Sequence, residues 1–285
     1  ILGIPLQIFM VTELFRQNND KYSKLMENMF LLTDLYEYFI DEKNNNFFKD
    51  KLAFDFKNPH MVSTIREEKQ KILGNYERVA LKVIFSEEIL KQLNVACEQQ
   101  KDENLQECVS VGLVSEFQND VAHFIHGSFA EYLVAIYFSK NLNTLRDTLG
   151  DLIFNAKYNN VRFFFDMLLV KNCKAHIAVL YKKYELLKTY DEETLTCKDK
   201  GGRSALHLIS SWGRRHPRLK ITVESGKCIV HEDSNFDKEA ETKAYFETVI
   251  FLQGKNNIEE HDSLLDTTPL SYARKSESLG AEIIL

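Results

Sequence analysis

The sequence predicts a mainly α-helical chain, carrying one small β-hairpin and ending in a helical repeat segment. Three observations lead there. Only 4 Pro and 11 Gly occur in 285 residues, too few to punctuate many short strands. Long stretches repeat apolar residues every three or four positions, the spacing of a helix with one buried face. Two related phrases late in the chain each join a loop to a helix start. One is Asp199-Lys-Gly-Gly202-Arg-Ser204-Ala-Leu206-His207-Leu-Ile209, and the other is Leu265-Asp-Thr-Thr268-Pro269-Leu270-Ser-Tyr-Ala273.

Taken in order, the first helix is expected from Pro5, a residue suited to the first helical position, to about Gln17. A second is expected from Leu25 to about Asp41, with Leu25, Met29, Leu32, Tyr36 and Phe39 along one stripe. The Asn44-Asn45-Asn46 tract is expected to break it, and Asn58-Pro59 to make a turn. The third helix is expected over about Ile65 to Phe85, burying Ile72, Tyr76, Val79 and Val83. Ser86 with Glu88 and Ile89 opens a shorter one, and a further helix follows the charged stretch 99–103.

The stretch from Val111 to Ala135 is the most informative. Val111-Gly-Leu-Val-Ser-Glu-Phe117 alternates loosely, Asn119-Asp120 is a tight-turn pair, and a second strand runs through His123. Ser128 and Glu131 have the spacing of a capping box that starts the next helix. His126 thus falls just before a helix N-terminus, where backbone N–H groups and the helix dipole favour an anion. The strand period sets His123 and His126 on opposite faces, so one can be buried while the other meets a ligand. Helices followed by such a hairpin make the pattern of a winged-helix module.

Helix resumes from Leu142 to Tyr190, with a densely buried segment at Phe163, Phe164, Phe165, Met167 and Leu168. The two late phrases resemble the ankyrin pattern in which Thr-Pro caps a helix and Leu packs inward. Ser204 and Thr268 lie farther apart than one repeat of about 33 residues. Tyr245 to Gly254 reads as the second helix of the repeat opened at Ser204, displaced by an insertion near 214–243. A whole degenerate repeat in the gap is the other reading, disfavoured because no second helix-pair pattern occurs there. The insertion holds a basic cluster (Arg214, Arg215, Arg218, Lys220), read as a solvated loop, and an acidic one. Between them, a hairpin is expected over Ile221 to Val230 around Ser225-Gly226.

Charge and motifs then exclude several functions. A net charge of −6 and the lack of a basic recognition helix argue against nucleic acid and anionic membrane as partners. No apolar run approaches the length of a membrane span, and no signal-peptide pattern occurs. Five scattered cysteines without a C-x-x-C fit reduced thiols of a cytoplasmic protein. Cys173-x-x-His176 with Cys197 lacks a fourth close ligand, so no metal is expected. Gly226-Lys227-Cys228 lacks both the leading Gly and the hydroxyl residue of a phosphate loop, and no apolar strand ends in paired acids. Without a phosphate cradle and a magnesium ligand, phosphoryl transfer has no electrostatic support, so no enzyme activity and no catalytic residue are expected of the chain.

Two segments resemble a known family. Gly3-Ile-Pro5-Leu6 resembles the G-x-P-L segment that follows the nucleotide-binding core of NACHT and related STAND NTPases. Phe124-Ile-His126-Gly-Ser128-Phe129-Ala-Glu131-Tyr132 resembles the F-x-H-x-[ST]-F-x-E-[YF] motif of their winged-helix domain. Gly127 stands where that motif commonly carries a side chain. The resemblance implies that Pro5 contacts an adenine base and that His126 hydrogen-bonds the β-phosphate of ADP. That contact would clasp the winged helix onto the nucleotide core, and ADP-to-ATP exchange would release it for homo-oligomerisation. From the residues alone, Pro5 is a helix starter and His126 is a structural residue or a ligand contact. His123 is then a wing-packing residue, and His207 braces the ankyrin-like loop.

The expected organisation is a helical domain over 1–58, a winged-helix-like domain over 59–141, a helical connector or degenerate repeat over 142–195, and ankyrin repeats over 196–285. The chain begins without Met inside an apolar segment and stops as an amphipathic stretch begins, and is read as a fragment of a larger cytoplasmic signalling protein. ADP or ATP would bind only with the upstream NACHT core, while the ankyrin surface would bind protein partners. The alternative is an ankyrin scaffold without nucleotide dependence.

Overall fold

Pro5 heads the first apolar stretch, and helix α1 runs over Ile4–Gln17 as the sequence predicts. The computed structural model describes residues 4–17, 31–51, 59–95, 102–119, 121–212, 220–224, 227–231 and 236–285. It is mainly helical and divides into two compact units. The first comprises residues 1–141 with 160–168, the second 142–159 with 169–285.

In the first unit, α2 spans Leu32–Asn46 and continues as a π turn over Phe47–Lys51. The expected start at Leu25 lies outside the described residues. Its expected end does not hold, because the asparagine tract is used as a cross-link rather than a break. Asn45 Nδ2 donates to Asp41 Oδ2 at 3.2 Å, while Lys69 Nζ donates to Asp41 Oδ1 and Asn45 Oδ1, each at 2.6 Å. Lys69 belongs to α3, Pro59–Ile84, which opens at the proline several residues before the expected start. At the first helical position a missing N–H costs nothing. Ile72, Tyr76 and Val79 are buried, but Val83 is 36% exposed, so the stripe ends a turn earlier than its spacing implies.

Helices α4 (Glu87–Gln92) and α5 (Asp102–Val111) precede the antiparallel hairpin of β1 (Val114–Gln118) and β2 (Val121–Phe124). Glu116 faces His123 and Phe117 faces Ala122, with a bulge between Val114 and Glu116. Asn119 takes a φ of +50°, the left-handed turn conformation asparagine tolerates. Helix α6, Gly127–Lys140, is apolar nearly all round and occupies the middle of the unit, packed along α3.

Aromatic rings fill this core. Tyr36 lies 5.2 Å from Phe129, 5.1 Å from Tyr132 and 4.9 Å from Phe164, centroid to centroid. Phe164 comes from α8 (Asn159–Leu169), whose residues 160–168 belong to this unit. Tyr76 donates its hydroxyl to the Cys108 carbonyl at 2.5 Å and ties α3 to α5.

The second unit begins with α7 (Leu142–Ile153) and a 3-10 turn (Ala156–Tyr158). After α8 come three short helices, α9 (Lys174–Leu180), α10 (Tyr184–Leu187) and α11 (Glu192–Thr196). The two related phrases form α12 (Ala205–Ser211) and α14 (Pro269–Lys275), capped by Ser204 and Thr268. These two helices pack side by side, although a hairpin and α13 (Phe236–Gln253) intervene in the sequence. The hairpin pairs β3 (Lys220–Glu224) with β4 (Lys227–His231), Ile221 opposite Val230, as the sequence predicts. Its Ser225-Gly226 turn and Arg214, Arg215 and Arg218 of the basic cluster lie outside the described residues. Helix α13 packs on α12 and on α15 (Leu279–Ile284).

A carboxylate closes the loop before each phrase helix. Asp199 Oδ1 accepts from the Gly201 and Arg203 N–H groups, and the Arg203 side chain holds Asp199 Oδ2 at 2.7–2.8 Å. Asp262 accepts from the Leu265 and Thr267 N–H groups and from the Tyr272 hydroxyl. Gly202 at φ +72° sits against Ser263, whose N–H donates to the Gly201 carbonyl, so the two loops meet back to back. Among the described residues, no helix is long and apolar enough to cross a membrane.

Candidate functional site

Pro5, Leu6 and Phe9 share one face of α1 and form an apolar wall. Opposite them stand Lys43 of α2, Gly112 at the end of α5, and Ile125 and His126 between β2 and α6. Together they line a cleft of about 570 Å³ in the first unit. The two residues singled out in the sequence, 121 positions apart, therefore face one space. Pro5 and His126 are exposed there, as is 42% of Ile125 and 46% of Phe9.

Local sequence explains how His126 is held. The expected capping box does not form, and Ser128 is not the cap. His126 itself caps α6 in an extended conformation, its Nδ1 accepting from the Ser128 N–H at 3.2 Å. Glu131 lies beyond the first turn and accepts instead from Asn160 at 3.0 Å. Burial raises the Glu131 pKa, while the Asn160 hydrogen bond and the nearby His126 oppose that rise.

The Ser128 hydroxyl lies 2.7 Å from His126 Nδ1 and 2.7 Å from the Tyr36 hydroxyl. Tyr36 donates to Ser128, which leaves the serine proton for Nδ1. Burial pushes the Tyr36 phenol up to about 12, against the Ser128 hydrogen bond and with the Glu131 charge, so it stays a donor at neutral pH. With Nδ1 accepting twice, the ring proton of neutral His126 resides on Nε2. The chain Tyr36–Ser128–His126 therefore sets the tautomer of a cleft-lining histidine and ties it to the aromatic core around Tyr36.

The charge beside it is positive. Lys43 Nζ lies 5.5 Å above the Phe39 ring, and Phe39 is tilted against Phe9 with centroids 6.0 Å apart. An apolar wall, an ammonium group, an N–H donor and the N-terminus of the 14-residue α6 suit a ligand with a flat apolar part and an anionic part.

Sequence reasoning missed Phe9, Lys43, Gly112 and Ile125. The i, i+4 step from Pro5 to Phe9 was a usable signal, whereas Lys43 required knowing where α2 ends. His123, expected to pack, is exposed on β2 and lines no part of the cleft. His207 lies in the second unit, buried completely. Its Nδ1 accepts from the Ser204 N–H, and Nε2 reaches the Glu260 and Thr267 carbonyls at 3.1 and 3.2 Å, so it braces the loops as the sequence predicts. Among the described residues, no group of three His, Cys, Asp or Glu side chains is placed to hold a metal. In comparisons with known proteins, no family model, curated protein or solved structure matches this chain.

Proposed function

We propose that this chain is the regulatory part of a cytoplasmic, nucleotide-switched signalling protein of NACHT type. His126 Nε2–H donates to a diphosphate, Pro5 and Phe9 lie against the base, and Lys43 balances the anion. The hairpin with α6 acts as the wing and helix of a winged helix that keeps the ADP state closed. Helices α12 and α14 act as the first helices of two ankyrin-type repeats whose free face binds protein partners. In this reading 220–231 belongs to an insertion and α13 supplies the second helix of the first repeat. Direct packing of α12 on α14, with α13 against α12, supports that arrangement.

One observation carries the reading: Pro5 and His126 line the same cleft, and the hydrogen bonds of Nδ1 leave Nε2 as its donor. The test is the nucleotide content of the intact protein. The expected result is retained ADP, with ADP release about tenfold to a hundredfold faster in His126→Ala, since a hydrogen bond to a charged group is worth about 1.5–3 kcal/mol. Pro5→Ala is expected to have a smaller effect. Unchanged retention in His126→Ala would sink the phosphate contact. An intact protein that purifies without nucleotide and binds none would leave the helical repeats as a scaffold for protein partners.

A further inference from the structure

The second unit holds two thiols in contact. Cys173 is the N-cap of α9 and Cys197 the C-cap of α11, and their sulfurs lie 3.0 Å apart. A disulfide bond measures about 2.05 Å, so roughly 1 Å of closure separates the pair from bonding. Both thiols also point at one acceptor, the Lys198 carbonyl, at 3.2 Å from Cys173 and 3.5 Å from Cys197. That shared acceptor keeps the sulfurs together in the reduced state. Among the described residues no set of metal ligands forms around them, and the adjacent His176 is engaged through Nε2 with the Arg203 carbonyl at 2.8 Å.

We propose that Cys173 and Cys197 are an oxidation site that closes to a reversible intramolecular disulfide when the protein meets a hydroperoxide. The exposures assign the order of events. Cys173 is 5% exposed and Cys197 half-buried, so Cys197 meets the oxidant. Burial first, and the neighbouring Cys197 second, push the Cys173 thiol up to about 12, which leaves it protonated until it is called on.

Cys197 sulfur, as the thiolate, attacks one peroxide oxygen. The O–O bond breaks, Cys197 becomes a sulfenic acid, and the departing hydroxide leaves as water with the thiol proton. Cys173 sulfur then attacks the Cys197 sulfur, displacing the sulfenic hydroxyl, which leaves as a second water with the Cys173 proton. In sum, two thiols lose two electrons and two protons to one hydrogen peroxide, giving one disulfide and two waters. The product joins the start of α9 to the head of the Asp199 loop and encloses α9, α10 and α11. An external dithiol reverses it by exchange.

The test counts thiols in the whole chain. Reduced protein is treated with hydrogen peroxide, quenched, denatured and alkylated with N-ethylmaleimide before intact-mass and peptide analysis. Of five cysteines, the expected outcome is loss of two labels with a Cys173–Cys197 linked peptide, and return to five after dithiothreitol. In Cys173→Ser, Cys197 should stop at a sulfenic acid that dimedone traps. Retention of all five labels would overturn the proposal, as would linkage of either residue to a different cysteine or between two chains. The wild-type peptide map decides the matter even if the serine variant fails to fold.

Discussion

At the residue scale, the histidines show how environment sorts one side-chain type into separate tasks. His126 lines the cleft with its proton set on Nε2 by the Ser128 bonds to Nδ1, while His207 is buried with both ring nitrogens engaged. Burial, more than any neighbour, lowers the His207 pKa from 6.5 to about 4, against the pull of Asp262. The unfolded chain therefore takes up this proton first as pH falls. Stability from neutral His207 is complete above about pH 6.5, declines through the window from 6.5 to 4, and is lost by about 3 kcal/mol at its lower end. Trp212, the only tryptophan, ends α12 and reports this unit in urea titrations at pH 7.5 and 4.5. In His207→Gln the difference between the two pH values should shrink. A difference as large as in the wild type would assign the acid sensitivity to other groups.

At the element scale, helix starts were legible at Pro5, Ser204 and Pro269, where a proline or hydroxyl residue opened an apolar run, but not at Pro59, where polar residues interrupt the run that follows. Both hairpins were legible from turn pairs between alternating runs. Failures came where distant side chains took over local roles. Lys69 turned the asparagine tract of α2 into a helix-to-helix link, and Tyr36, 92 residues away, drew the Ser128 hydroxyl out of its expected cap. No window of sequence contains both partners of such a bond. The Asp199 loop supplies a contrast between glycines. A Cβ on Gly202 would lie 2.5 Å from Ser263 Oγ and 2.8 Å from its nitrogen, at a φ that disfavours side chains. Gly202→Ala should cost about 2 kcal/mol or more by urea unfolding. Gly74, inside α3 with open space around it, should behave oppositely, Gly74→Ala stabilising by about 0.5–1 kcal/mol. A neutral Gly202→Ala would mean the two loops do not abut as described.

At the scale of the whole molecule, the units do not follow one another along the chain. The buried character of Phe164, Phe165 and Met167 was legible, though Phe163 and Leu168 are only half-buried. The segment's destination was not, because apolar spacing says that a face is covered without saying by what. Phe164 is fully buried, with its ring 4.9 Å from Tyr36 and 5.4 Å from Tyr132. Phe164→Ala should cost about 3–5 kcal/mol. Hydrogen exchange of the α2 and α6 amides reads this directly, with protection expected to fall about a hundredfold or more. Changes confined to α8 would mean the segment only leans on the first unit.

That interleaving also sets an order of events during synthesis. The ribosome delivers α2, α3 and α6 well before α8, so Tyr36 and Tyr132 leave the exit tunnel without the ring that covers them. At about 5–20 residues per second the wait is brief, but throughout it an aromatic surface faces water. Residues 142–159, which belong to the second unit, are translated during that wait and can only stand by. The nascent first unit thus completes its aromatic core only once Leu168 has emerged.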